Sequence, residues 1–165
     1  AGKIYDVKAS LISEPHNIND LLMFSCEIGD TDIINMLIKD FKADINFVND
    51  LGYTPLIWAC TCGKAKSVST LIDAGADINQ PSPDGLTPLL LAVNLNRIAI
   101  TQILLDAGVK VTTYDANGKT ALDIAKEKHF DTIVDLLEIE PAEYLLPENI
   151  LKSLTGYILD LYDYI

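Results

Sequence analysis

Hydrophobic positions in this chain fall in short helical stripes that return at a fixed interval rather than in one long periodic run. Leu56, Leu89 and Leu122 lie 33 residues apart, and each closes a triplet: Thr54-Pro55-Leu56, Thr87-Pro88-Leu89 and Thr120-Ala121-Leu122. A glycine stands two residues before each triplet (Gly52, Gly85, Gly118), and an alanine follows at one offset (Ala59, Ala92, Ala125). A second element keeps the same period: Leu71-Ile72-Asp73-Ala74-Gly75-Ala76-Asp77-Ile78-Asn79 returns as Leu104-Leu105-Asp106-Ala107-Gly108-Val109-Lys110-Val111-Thr112. Two signatures locked to one period predict a stacked repeat architecture.

The residue chemistry predicts the unit. Threonine before proline is a good helix N-cap, because its hydroxyl accepts an orphan backbone N–H and proline at the first helical position has no donor to lose. Gly75 and Gly108 stand where a second helix stops through a left-handed residue. Asp84-Gly85 and Asn117-Gly118 read as tight-turn dipeptides of a hairpin-like finger before each helix pair. Each unit is therefore helix, turn, helix, projecting turn.

These motifs resemble the ankyrin repeat family, whose signatures are a Thr-Pro-Leu-His-x-Ala-like helix start and a Gly-Ala-Asp-hydrophobic-Asn-like turn. The resemblance covers about residues 19–138 and implies an all-α solenoid of four repeats. Residues 1–18 are a lead-in, and the repeats run about 19–48, 49–81, 82–114 and 115–138. Residues 141–165 form a C-terminal helical cap or partner-docking segment. The first repeat follows the pattern through Leu22, Ser25, Gly29, Ile33, Ile34, Leu37 and Ile38, then closes with Lys42-Ala43-Asp44-Ile45-Asn46 after one extra residue. The fourth lacks the closing turn, as terminal repeats that face water do. The family's usual histidine is replaced by Ile57, Leu90 and Asp123, so the side-chain tie between neighbouring loops is expected to be weaker.

Within that resemblance the expected function is a protein-protein interaction module or adaptor holding a protein partner on its concave surface. Carried over by position, the finger residues are Asp50, Leu51 and Tyr53, then Pro83, Asp84 and Leu86, then Ala116, Asn117 and Lys119. The exposed first-helix positions are Thr61 and Cys62, Asn94 and Leu95, and Glu127 and Lys128. Leu51, Tyr53, Leu86 and Leu95 are expected to be exposed apolar anchors. Trp58, the sole tryptophan, has two readings: packing between adjacent first helices, or partner contact.

Charge narrows the partner. The formal net charge is −12, and residues 131–165 carry eight acids against one base, Lys152. Without a basic stripe to displace counterions, nucleic acid is not an expected partner, and anionic membrane surfaces are disfavoured on the same ground. No apolar run reaches the roughly 18 residues needed to span a bilayer. Cys26, Cys60 and Cys62 read as packed thiols of a reducing compartment, which points to an intracellular protein of cytoplasm or nucleus. Cys60-x-Cys62 makes a poor metal site, because the two side chains diverge on a helix.

Catalytic readings are poorly supported. His16 and His129 are the only histidines, and His129 replaces the turn glycine found at Gly29 and Gly63. There is no phosphate loop, zinc-binding His pair or nucleophile elbow. The chain is expected to be non-enzymatic, without cofactor or metal, and monomeric.

Residues 150, 151, 154, 157, 158 and 161 form an apolar helical stripe beyond Pro141. One reading makes it a cap over the fourth repeat. The other rests on Leu146-Pro147-Glu148, Ile150-Leu151, Leu154 and Tyr157-Ile158, which resemble the start of an F-box. That likeness implies a substrate-recruiting subunit of a ubiquitin ligase, with a ligase adaptor as second partner. Gly156 interrupts this helix at a cost of about 1 kcal/mol.

Overall fold

The computed structural model describes residues 17–138. The lead-in up to residue 16 with His16, and the C-terminal cap or F-box-like segment, lie outside the described residues. Within them the chain is all-helical, with eight helices in four antiparallel pairs: α1 (Ile18–Ile28) with α2 (Thr31–Lys39), α3 (Pro55–Thr61) with α4 (Ala65–Asp73), α5 (Pro88–Asn94) with α6 (Ile98–Asp106), and α7 (Ala121–Glu127) with α8 (Asp131–Glu138). First helices pack on first helices, and second helices pack on second helices, from one pair to the next.

The helix starts follow from threonine chemistry. Thr54, Thr87 and Thr120 Oγ1 accept the N–H of Ile57, Leu90 and Asp123 at 3.2, 3.3 and 3.2 Å. Each such cap contributes about 1 kcal/mol. Ile57 and Leu90, at the family's histidine position, are fully buried, whereas Asp123 reaches back to Thr120 and completes a capping box. With no histidine at those positions, side-chain ties between repeats are made by asparagines. Asn46 and Asn79 Oδ1 accept the N–H of Asp77 and Lys110 in the next repeat, and Asn19 Oδ1 accepts that of Asp44 within the first, all at 2.9 Å.

The helix ends are Schellman motifs. After α4, Gly75 N–H donates to Ile72 and Ala76 N–H to Leu71; after α6, Gly108 and Val109 do the same to Leu105 and Leu104. Lys42, at φ 57°, takes the glycine's place in the first repeat. The extra residue there widens the turn, so Ala43 N–H reaches back six residues to Leu37.

One core runs through all four pairs. Leu22, Leu56 and Leu89 are buried in the first helices, and Leu37, Leu71 and Leu104 in the second. Their equivalents in the last pair, Leu122 and Leu137, are only half-buried. Burying a leucine contributes roughly 1.5–3 kcal/mol, so each repeat depends on its neighbour for its stability. Ala59, Ala92 and Ala125 are fully buried, and a methyl there lets adjacent first helices approach closely.

Candidate partner-binding face

The fingers are built by hydrogen bonds at their necks. Asn49 N–H donates to Tyr53 C=O, Ser82 N–H to Leu86 C=O and Asp115 N–H to Lys119 C=O, at 2.9–3.1 Å. Inside each neck a turn closes from Gly52, Gly85 or Gly118 N–H to the carbonyl of Asn49, Ser82 or Asp115. Only the glycines are left-handed, at φ 81°, 76° and 74°. The loops are therefore three residues long, a right-handed turn plus one left-handed glycine, rather than two-residue turns centred on the Asp-Gly and Asn-Gly dipeptides. The neck side chains add support: Asn49 Oδ1 accepts from Leu51 and Tyr53 N–H, and Asp115 Oδ1 from Asn117 and Lys119 N–H. Those donors, Lys119 N–H first, hold the Asp115 carboxyl below its usual range. Neighbouring fingers touch, since a Cβ on Gly52 would come within 2.1 Å of Pro83 Cγ.

Asp50, Pro83, Asp84, Ala116 and Asn117 are exposed at the fingertips, and Leu51 leaves 65% of its surface in water. Leu86 is a correction. It is half-buried and packs against the core, because the residue after the left-handed glycine turns back toward its own helix. Tyr53 is also half-buried and stacks on Trp58, with ring centroids 6.1 Å apart and planes 26° apart. The two aromatic residues thus share one ledge where the finger meets α3.

Along the first helices, Thr61 Oγ1 donates to Ile57 C=O at 2.9 Å, while Thr61 C=O accepts from Arg97 Nη2 at 3.3 Å. Cys62 is half-buried, and Leu95 is exposed. Lys128 Nζ donates to Asn94 C=O at 3.0 Å and also bonds Asn94 Oδ1. Lys119 is paired with Glu127, and that bond holds the Lys119 ammonium above its usual value.

A groove of about 380 Å³ opens between the third and fourth repeats. Asp84, Leu86 and Asn94 form one wall, and Asn117, Lys119, Glu127 and Lys128 the other, with Asp115, Ala116 and Ile124 between. The groove gathers the fourth-repeat candidates with Asp84, Leu86 and Asn94 of the third, and leaves out Asp50, Leu51, Tyr53, Trp58, Thr61, Cys62, Pro83 and Leu95. Two residues on the same row of helices escape a motif-based reading: Phe24 and Ile28 on α1 are 57% and 54% exposed. Setting Cys26 against Cys60 puts Phe24 in register with Trp58 and Ile28 with Cys62. That register is available in the sequence, although α1 lacks the Thr-Pro-Leu start that marks the others.

Among the described residues no cluster of three or more His, Cys, Asp or Glu is placed to hold a metal ion. None of their helices is long and apolar enough to cross a membrane. Burial pushes the Cys26 and Cys60 thiols up to about 12, and it raises Cys62 as well. His129 sits exposed in the α7–α8 turn at φ 56°.

Comparison with known proteins agrees with this geometry. The family described as "Ankyrin repeats (3 copies)" matches residues 2–82, and "Ankyrin repeats (many copies)" matches residues 71–125. Over 70 residues the chain is 30% identical to BTB/POZ domain-containing protein 3 of Schizosaccharomyces pombe. That match covers 39% of this chain and 13% of the yeast protein, so the chain spans only a small part of that relative's length. Ankyrin repeats are protein-protein interaction modules. With two family matches running through residues 2–125, a 33-residue period and paired helices joined by projecting fingers, the chain belongs to the ankyrin repeat family.

Proposed function

We propose that the chain is an adaptor that seats a protein partner on the face formed by its fingertips and first helices. Asp50, Leu51, Tyr53, Trp58, Thr61, Cys62, Pro83, Asp84, Leu86, Asn94, Leu95, Asn117, Lys119, Glu127 and Lys128 are the residues offered for contact. The observation that carries this reading is a division of labour within each repeat. Thr54, Ala59 and Leu71 and their equivalents are consumed by capping and packing, whereas fingertip residues such as Asp50, Leu51 and Asp84 form no side-chain hydrogen bond or ion pair within the described residues. Large apolar side chains held in water on such a face are anchors for a second surface.

The test compares two doubly substituted full-length chains in affinity capture from cell lysate. Leu51→Asp with Leu95→Asp places charges on the face, and Ile98→Asp with Val111→Asp places the same charges elsewhere on the exposed surface. Both are expected to stay folded by circular dichroism, with the partner set lost only from the first. Loss from both, or from neither, would remove the assignment of this face.

A further inference from the structure

We infer that the apolar anchors of the partner seat on the first two repeats, and that the partner segment is amphipathic with Lys or Arg beside its apolar residues. This deepens the docking reading above and rests on it.

The apolar half of the argument is the ledge that begins on α1. Phe24 and Ile28 are large, more than half exposed and one helical turn apart, so they share a face. The Tyr53–Trp58 stack continues that row onto α3, which packs against α1. Leu51 stands at the tip of the adjoining finger. No equivalent exists at the other end of the row: Ile124, in register with Phe24 and Trp58, is buried, and Lys128 replaces Ile28.

Charge selects the occupant. Asp20 lies one turn before Phe24, Glu27 lies between Phe24 and Ile28, and Asp50 neighbours Leu51. All three are exposed, and none makes a hydrogen bond or ion pair with its carboxylate among the described residues. Of the cations near this ledge, Arg97 is already bonded within the chain, whereas only the stem of Lys64 is held. The stem of Lys64 lies against Gly29, and the Arg97 guanidinium lies over Gly63 with Nη2 bonded to Thr61 C=O. In the fourth repeat, Lys119 and Lys128 are engaged by Glu127 and Asn94. The apolar ledge is therefore rimmed by three carboxylates without a partner among the described residues, with Lys64 as the neighbouring cation. A partner bringing Lys or Arg beside its apolar side chains gains charge pairing there, and an acidic partner meets like charge.

The test is selection of binders to the full chain from a displayed library of random dodecapeptides, with affinities of the winners read by fluorescence polarisation. The expected winners combine bulky apolar residues with Lys or Arg, and they change the emission of Trp58. Phe24→Ala and Glu27→Lys are each expected to weaken them about tenfold. Asp106→Lys on α6, which makes the same charge change as Glu27→Lys, is expected to leave affinity within about twofold. Winners without basic residues overturn the inference, and so does an equal loss on Asp106→Lys, which would be a net-charge effect. A chain that dimerises in sedimentation and becomes monomeric on Phe24→Asp would make a second copy the occupant, with the same consequence. If Lys119→Glu abolishes binding and Phe24→Ala does not, the placement on repeats one and two falls while the docking face stands. If neither matters, both readings fall.

Discussion

Gly29, Gly63, Asn96 and His129 occupy one position in the four repeats, the left-handed residue between first and second helix, at φ 92°, 71°, 53° and 56°. In three of the repeats the hydrogen bonds are the same. Gly63, Asn96 and His129 N–H donate three residues back, and the following N–H reaches Ala59, Ala92 or Ala125. Only the side chain differs, so substitutions at this position have signs fixed by geometry. A non-glycine residue held left-handed costs about 1–2 kcal/mol, and glycine returns roughly 0.5–1 kcal/mol of that through the greater freedom of its unfolded chain. His129 is exposed, and its side chain makes no hydrogen bond or ion pair among the described residues. His129→Gly should therefore stabilise the fold by about 0.5–1 kcal/mol, raising Tm by a few degrees at this size. Gly63→Ala should do the reverse and by more. Beyond the φ cost, the new Cβ would lie 2.9 Å from Arg97 Cζ, so the guanidinium must shift and give up its bond to Thr61 C=O. About 1–2 kcal/mol of loss is expected. Thermal and urea unfolding of the two variants measures both. A destabilising His129→Gly would mean that the histidine side chain contributes something beyond the turn, and it would refute this account of the helix ends.

Two further perturbations probe the core. Ile34, Val68 and Val134 stand in register with Thr101, which is fully buried with its Oγ1 hydrogen-bonded to no described group. Thr101→Val keeps the shape and removes an uncompensated hydroxyl, so a gain of about 1–2 kcal/mol in urea unfolding is expected; a loss would show that the hydroxyl has a partner. The thiols give a pH signature. The unfolded chain releases the Cys26 and Cys60 protons near 9.0, whereas the folded chain holds them to about 12, so stability is full below 9.0 and falls as pH rises across that window. Near neutral pH a disulfide reagent should modify Cys62 alone in the native protein and all three thiols in denaturant; rapid native modification of Cys60 would contradict its burial.

What the sequence makes legible is whatever a residue decides locally. Thr54 and Thr87 announce helix starts because one hydroxyl and one following proline suffice, and Gly75 and Gly108 announce helix ends because no other residue takes that conformation as cheaply. The solenoid and its period follow from these alone. The features that escape a local reading are set between repeats. Leu86 resembles an exposed fingertip residue by position, yet whether it turns inward depends on the core beneath it. The asparagine ladder is invisible because Asn46 and Asn79 look like turn formers, and their acceptors are used 31 residues further along the chain. The groove has the same origin, for its walls belong to two different repeats.

The same distinction separates the two ends of the binding face. In the fourth repeat polar candidates are partly satisfied by each other, Lys119 by Glu127 and Lys128 by Asn94 across the repeat boundary. A partner that takes those groups must first break bonds the chain already makes, so they select the partner more than they hold it. At the first repeat the exposed apolar and acidic side chains of α1 make no such bonds among the described residues. Phe24 and Ile28 sit in water, and Asp20 and Glu27 carry no partner among the described residues. Contact there releases water from apolar surface without costing an internal bond. Affinity is therefore expected to reside in the apolar, acid-rimmed end and discrimination in the groove. A variant series along the row separates these contributions: Phe24→Ala should raise the dissociation constant for every peptide tested, whereas Lys128→Ala should reorder peptides that differ only in polar residues.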